Sequence, residues 1–264
     1  GDIASWQFTF IAVGLPGILL AMILATLAEP MRRETLSDTG ARSVSWREGM
    51  NFVRSRKKVY GAYLLGAPFI VITLYALQAW VPTLLIRVHG MDIADAGRGY
   101  GSIALICGSA GVLSGPVLAK YFSRKGHKDA GLRAATLAAA ALLPAIVFAG
   151  FTADTTLALV AIAVSSFFVT VPMALFTTGL QAVTPNEMRG VIAGIYVVIV
   201  NLFGLALGPT SVALVTDYVF ADASAVGASM AIVCAVSLPV AMLMFYFGMG
   251  EGSSSDSEGR VVGH

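Results

Sequence analysis

Thr184-Pro185-Asn186-Glu187-Met188-Arg189-Gly190, continued to Asp217 by an apolar run that Asn201, Gly204, Gly208 and Pro209 interrupt, opens like a helix and continues like a membrane span. Thr184 is placed to cap the helix. Pro185 stands at the first helical position, where a missing N–H costs nothing, and Glu187 can return a bond to the cap. Beyond this start Gly190, Gly194, Val197, Asn201, Gly204 and Gly208 recur at steps of four and three, so they share one side of a helix. Such a side-chain-poor stripe in an apolar segment predicts the close approach of another helix.

The composition extends that reading to the whole chain. It is 57% hydrophobic and 12% charged, with mean hydropathy +0.80, where ordinary soluble domains carry roughly a quarter charged residues. Several apolar runs reach the ~20 residues that cross a hydrocarbon core as a helix, and helices satisfy their own backbone groups there. The chain reads as an all-α polytopic membrane bundle. Cys107 and Cys234 lie in apolar runs and read as small buried hydrophobes.

Seven spans can be drawn, over 7–28, 60–86, 97–121, 131–151, 155–182, 185–217 and 224–248. Fifteen of the 17 Lys and Arg fall in 29–59, 120–133, 183–190 and 249–264; the opposite connections hold Arg87 and Arg98. Because basic residues accumulate on the cytoplasmic side, this predicts a cytoplasmic C-terminus and an outer Gly1, in a bacterial inner membrane. A chain beginning on the far side without Met or a leader predicts further sequence upstream. Within the linker 29–59, Ser45-Trp46-Arg47-Glu48 forms another capping box. Trp46, Met50 and Val53 share a face there, which predicts a short amphipathic helix on the cytoplasmic surface, the alternative being a solvated linker. The Ser/Gly-rich segment 249–264 reads as a disordered tail.

The last six spans repeat in threes. The second and fifth are polar, with Tyr75, Gln78 and Trp80 on one and Ser166, Thr170, Met173, Thr177 and Gln181 on the other. The third carries Gly97, Gly101, Ala104, Gly108, Gly111 and Gly115 on one stripe, as the sixth carries its own, while the fourth and seventh are almost bare of hydrogen-bonding side chains. A three-helix repeat with its polar member toward a cavity and its greasy member toward lipid is the logic of a secondary transporter.

At this point the residues resemble the major facilitator superfamily. Trp6-Gln7-Phe8-Thr9-Phe10, Gly14-Leu15-Pro16-Gly17 and Glu29-Pro30-Met31-Arg32-Arg33 are similar to that family's sixth helix and its exit into the central loop. Gly115-Pro116-Val117-Leu118-Ala119-Lys120 with Arg124, Lys125 and Lys128 resembles the second copy of its cytoplasmic motif, read as a turn after the third span, with Ala119 where the motif has an acid. Asn186-Glu187-Met188-Arg189-Gly190 and Gly204 through Pro209 look most like the spinster-like branch. The resemblance implies one helix of an N-terminal bundle (1–28), a linker (29–59), a six-helix C-terminal bundle (60–248) and a tail (249–264). It further implies alternating access, with the second and fifth spans lining a cavity, the third and sixth meeting the other bundle, and the fourth and seventh at the periphery.

The candidate substrate contacts are Tyr75, Gln78, Trp80, Ser166, Thr170, Thr177 and Asn201. Aromatic faces suit an apolar body and amides a polar head. Each has a plainer alternative: Trp80 marks the outer interface, the hydroxyls bond their own or a neighbouring helix, and Asn201 bonds across the bundle. Lys120, Arg124, Lys125, Glu187 and Arg189 are candidates for a cytoplasmic gate, or simply for capping and positive-inside anchoring. Pro172 beside Met173 is a candidate hinge. No Asp, Glu, Lys, Arg or His lies near the middle of the six later spans. Since intramembrane ionisable groups are the usual relays, a coupling ion, H+ or Na+, is expected to be handled by the missing N-terminal half. His89, His127 and His264 lack ligand spacing, and no phosphate loop or paired acids occur. Neither a metal, a cofactor, an enzymatic activity nor a nucleic-acid partner is expected. The expected function is secondary transport of a small organic or amphipathic, lysolipid-like solute across the bilayer; the alternatives are a non-transporting receptor or scaffold and an inactive half-transporter.

Overall fold

The computed structural model describes residues 5–26 and 46–249. Helix α1, Ser5–Ala25, belongs to one unit. The second unit holds α2, Trp46–Ser55, followed by α3, Lys57–Arg87; α4, Ile93–Arg124; α5, Ala130–Phe151; α6, Thr155–Ala182; α7, Arg189–Phe220; and α8, Ala223–Gly248. Among the described residues there is no strand. Six helices, α3 to α8, are long and apolar enough to cross a membrane. The seventh expected span, α1, has a shorter apolar stretch, Phe10–Ala25. The capping residue Ser45, the segment Glu29 to Arg33 and the tail from Glu251 to His264 lie outside the described residues.

At the end poor in basic residues each helix start is capped by an aspartate. Asp92 accepts from the Ala94 N–H (3.0 Å), Asp154 from Leu157 (2.8 Å) and Asp222 from Ser224 (2.8 Å). These caps satisfy donors that a helix start leaves orphaned. The hydroxyl of Ser224, with its N–H, holds the Asp222 carboxyl below the usual carboxylate range. At the basic end the connection after α4 turns at Gly126, whose φ of +86° is open to glycine at little cost.

The α7 start differs from the capping box its sequence predicts. Thr184 is buried, and its hydroxyl donates back to the Leu180 carbonyl at 2.6 Å. The Tyr60 hydroxyl lies 2.9 Å from the Thr184 hydroxyl and 3.3 Å from the Val183 carbonyl. A 3-10 turn, Asn186–Met188, then leads into α7 at Arg189, four residues after Pro185. A tyrosine 124 positions upstream has outbid the local cap, as tertiary contacts commonly override local preference.

α2 spans Trp46–Ser55, with Phe52 and Val53 packed against the bundle core. Gly49 is buried, with its Cβ position 3.3 Å from Val191 Cγ1. Phe52 meets Tyr60 edge to face at 5.8 Å, and the Arg56 guanidinium lies 5.2 Å above the Phe52 ring. The glycine leaves room for α7 where a larger residue would hold α2 away.

Part of each glycine stripe packs inside this bundle. A Cβ at Gly111 would fall on the Phe167 carbonyl and the Thr170 hydroxyl, and one at Gly115 on the Val171 carbonyl, so α4 sits backbone-close on α6. In the same way Gly204 lies against Val71 (2.5 Å from its Cβ position) and Gly208 against the Ile72 carbonyl (2.8 Å), so α7 sits on α3. Each repeat's glycine helix therefore docks on the other repeat's polar helix. α5 and α8 meet where Gly150 and Gly227 face each other's carbonyls. Between helices in lipid the hydrophobic effect adds little, so such close approach, with its dispersion gain, is what holds the bundle together. The remaining stripe glycines, Gly97, Gly101, Gly190 and Gly194, have nothing within 4 Å of their Cβ positions.

Burial within this bundle differs from span to span. Of the best apolar stretch of each span, 17% is buried in α4 and 28% in α7, against 39% in α5, 44% in α8 and 50% in α3 and α6. In α5 the alanines Ala134, Ala135, Ala138 and Ala139 are buried where neighbouring helices close on them. An aromatic cluster, Tyr63, Phe176 and Phe245, ties α3, α6 and α8 together. Helix α6 runs unbroken through Pro172, which is buried beside that core.

Candidate functional site

The seven candidate substrate contacts separate into three places. On the α3–α7 pair, Tyr75 is half-buried and its hydroxyl donates to Asn201 Oδ1 at 3.2 Å, while Asn201 Nδ2 donates to the Val197 carbonyl of its own helix at 2.9 Å. Gln78, one turn beyond Tyr75, is exposed, as is Asn201. Trp80 is half-buried and bridges the two helices through its Nε1–H, 2.9 Å from the Pro209 carbonyl. Its ring is thereby fixed across α3 and α7. Trp80→Phe, which keeps an aromatic ring but removes the donor and part of the indole, is expected to cost about 1 kcal/mol or more, read as a fall in melting temperature.

On α6, Ser166 and Thr170 turn into the packing. Thr170 Oγ1 has one proton and three carbonyls within reach: Gly108 of α4 at 2.9 Å, Phe167 at 3.0 Å and Ser166 at 3.1 Å. Gly108 closes a π-helical stretch, Ala104–Gly108, where the regular ladder is interrupted, so a hydroxyl from the neighbouring helix supplies a donor there. Ser166 Oγ is buried and has no hydrogen-bond partner among the described residues. Thr177, two turns beyond Thr170, is exposed. It borders a small cavity of about 60 Å³ between α6 and α7 that Gln181, Thr184, Arg189 and Tyr196 also line.

The gate candidates cluster at the basic end. Arg189 Nε donates to the carbonyls of Gln181 (3.1 Å) and Thr184 (3.2 Å), placing a cation against the C-terminus of α6, where the helix dipole favours it. With Tyr60 and Thr184 it fastens α3, the end of α6 and the start of α7 to one another. Lys120, Arg124 and Lys125 are exposed on or just after the last turns of α4, and Lys125 Nζ sits 4.4 Å above the Tyr121 ring. The segment from Gly115 to Lys120, read from sequence as a turn, is helical; its glycine serves the contact with α6. The Glu187 side chain lies outside the described residues. Tyr60 escaped the sequence reading because an isolated tyrosine at a span edge gives no pattern. Its partner is visible only in three dimensions.

The sequence profile described as Major Facilitator Superfamily matches residues 1–209. The chain belongs to the major facilitator superfamily. Within it, the chain is 26% identical over 220 residues to the probable galactarate/D-glucarate transporter GudP of Bacillus subtilis, covering 75% of this chain and 47% of that protein. It is 24% identical over 245 residues to an MFS-type efflux pump of Mycolicibacterium smegmatis, covering 91% of this chain and 56% of that protein. Crystal structures of a bacterial homolog of the human lysosomal transporter Spinster, inward-facing and either unoccupied or occupied, share the fold. Each has a TM-score of 0.65, at 20% and 21% identity, over 92% of this chain and 58% and 57% of theirs. The chain thus spans about half the length of the curated relatives it matches. Family and fold point to an integral membrane transporter rather than an enzyme.

Proposed function

We propose that this chain supplies one bundle of a secondary transporter that moves a small organic solute by alternating access, and that Gln78, Asn201 and Tyr75 form its share of the substrate site. The observation that carries this reading is that Gln78 and Asn201 remain open on a bundle whose other mid-span hydroxyls, those of Ser166 and Thr170, are consumed in packing. An amide exposed at mid-span is expected to meet water, a ligand or the rest of the full-length protein rather than lipid. Packing accounts for Ser166 and Thr170 on α6, so the proposed distinction between a carrier and a receptor or scaffold rests on the α3–α7 amides.

The mid-span groups here are neutral. An aldarate dianion, the cargo named for the Bacillus relative, would require cations from elsewhere in the full-length protein, whereas an amphipathic or lysolipid-like cargo suits an aromatic ring beside two amides. The coupling ion, H+ or Na+, is assigned to residues outside this bundle for the same reason. We assign the basic end to the cytoplasm and the membrane to the bacterial inner membrane, on the distribution of Lys and Arg. Lys120, Arg124, Lys125, Glu187 and Arg189 then belong to the cytoplasmic gate.

The experiment is transport by the full-length protein in proteoliposomes, with galactarate and a short-chain lysophospholipid as alternative cargoes. Gln78→Ala and Asn201→Ala are expected to lower the rate about tenfold or more, as loss of a hydrogen bond to a buried ligand does, at unchanged abundance. Thr170→Val is expected to lower abundance instead. Wild-type rates in both amide variants would remove the α3–α7 site, and transport of neither cargo class would leave the receptor reading in its place.

A further inference from the structure

A cavity of about 320 Å³ opens at the basic end between the start of α3, the end of α4, the start of α5 and the end of α6. Leu132 and Leu175 give it an apolar wall, and Tyr63, Thr178, Lys128 and Asp129 are its polar groups. Two of these four are engaged already. Thr178 donates to the Ala174 carbonyl of its own helix at 2.8 Å, and Asp129 is drawn to Arg133, whose Nε lies 3.5 Å from its Oδ2. Tyr63 is 6% exposed, and its hydroxyl makes no hydrogen bond among the described residues. Its placement has two local causes. Tyr63 lies in a π-helical stretch, Ala62–Gly66, a geometry that recurs at functional sites. Opposite it, a Cβ on Gly179 would fall on the phenol oxygen, so the glycine is what lets the hydroxyl reach the wall that both residues line. Lys128 stands exposed in the α4–α5 connection, with no ion pair among the described residues.

The two donors sit at different depths. Lys128 is at the mouth, whereas Tyr63 is six residues inside the start of α3, roughly 9 Å along the helix. A ligand that satisfies both carries an anionic group at one end and a neutral oxygen further in, with an apolar body between them. An inorganic anion gains nothing from the leucine wall and leaves the phenol without an acceptor, and a dianion is repelled by Asp129. The volume falls at the small end of the ~300–1,000 Å³ common for ligand pockets. We propose that this cavity binds a small organic monocarboxylate, its charge on Lys128, its apolar body against Leu132 and Leu175, and an ether, hydroxyl or carbonyl oxygen accepting from Tyr63. Gln78 lies 15 residues further along α3, about 22 Å away, so this is a second site, separate from the α3–α7 amides. The proposal does not depend on what the bundle transports.

Isothermal titration of the full-length protein in phosphatidylcholine nanodiscs tests it, with 4-methoxybenzoate as the probe. Two analogues each remove one contact: 4-ethylbenzoate lacks the inner oxygen, and 4-methoxybenzamide lacks the charge. Saturable binding of the probe is expected, about tenfold tighter than that of 4-ethylbenzoate, the fold-change for one hydrogen bond. Tyr63→Phe, which keeps the ring on Phe176, is expected to weaken the probe about tenfold and to leave 4-ethylbenzoate unchanged, which isolates the phenol contact as a double-mutant cycle does. Lys128→Gln is expected to weaken both carboxylates about threefold, as befits an exposed charge, and to leave the amide unchanged. Its place in an exposed connection lets it carry the test if Tyr63→Phe does not fold. Gln78→Ala is expected to bind the probe as wild type does. Absence of saturable binding, equal affinity for the probe and 4-ethylbenzoate, or loss of binding in Gln78→Ala would each overturn the proposal, the last by moving the probe to the α3–α7 site.

Discussion

Replacing Gly111 with valine is expected to separate α4 from α6 and to cost about 3 kcal/mol or more, the upper end of what overpacking does. The added Cβ has nowhere to go: it falls on the Phe167 carbonyl and the Thr170 hydroxyl at once, and a backbone carbonyl inside a helix cannot swing aside as a flexible side chain can. Displacing Thr170 also withdraws its proton from the Gly108 carbonyl, so the same substitution opens a hydrogen bond across the helices. A fall in melting temperature of roughly 5–10 °C follows, together with lower membrane abundance. Gly97→Val, on the same stripe but with nothing within 4 Å of its Cβ position, is expected to melt near the wild-type temperature. Equal behaviour of the two variants would show that the stripe does not dock α4 on α6.

Thr184→Asp separates the local reading of the α6–α7 connection from the tertiary one. At a helix N-cap aspartate is at least as good as threonine, so a capping role predicts a change within about 0.5 kcal/mol. In the folded chain Thr184 is 3% exposed and sits between the Leu180 carbonyl and the Tyr60 hydroxyl. A carboxylate there faces a carbonyl oxygen where a hydroxyl proton stood. The group must either remain charged and buried or take up a proton, and both cost several kcal/mol. Thr184→Asp is therefore expected to reduce folded protein severely in a fluorescence-detected size-exclusion profile, while Thr184→Ser, which keeps donor and acceptor, stays near wild type. Full tolerance of the aspartate would restore the cap and remove Tyr60 from the connection.

Much of the bundle was legible because its signals are additive along the chain. A run of apolar residues long enough to cross hydrocarbon can satisfy its backbone in only one way, so α3 to α8 lie within a few residues of the spans drawn from sequence. The motif residues are less legible. Gly204 and Gly208 announced a close helix contact, yet the period that places them on one face says nothing about which helix meets that face. Ser166, Thr170 and Gln78 look alike as polar residues in apolar surroundings, and only packing reveals that the first two are enclosed and the third is open. The low burial of α4 and α7 within this bundle was hidden for a related reason. Hydropathy measures what a helix can tolerate, and alanine-rich α5 and α8 tolerate protein neighbours as readily as lipid.

By itself, then, the sequence determined the number and approximate ends of the apolar helices α3 to α8, the end of the bundle that carries the positive charge, and the threefold alternation of polar, glycine-striped and greasy spans. Each of these depends on interactions between a segment and its solvent, or between residues one turn apart, which are read along the chain. Only the tertiary structure decided that each glycine stripe meets the other repeat's polar helix, that Thr184 answers to Tyr60, and that Thr170 serves Gly108 while Gln78 stands free of the packing. Those are pairings between residues tens to more than a hundred positions apart. In such pairings one hydroxyl proton or one missing Cβ finds its partner by shape, and no periodicity along the chain encodes that partner.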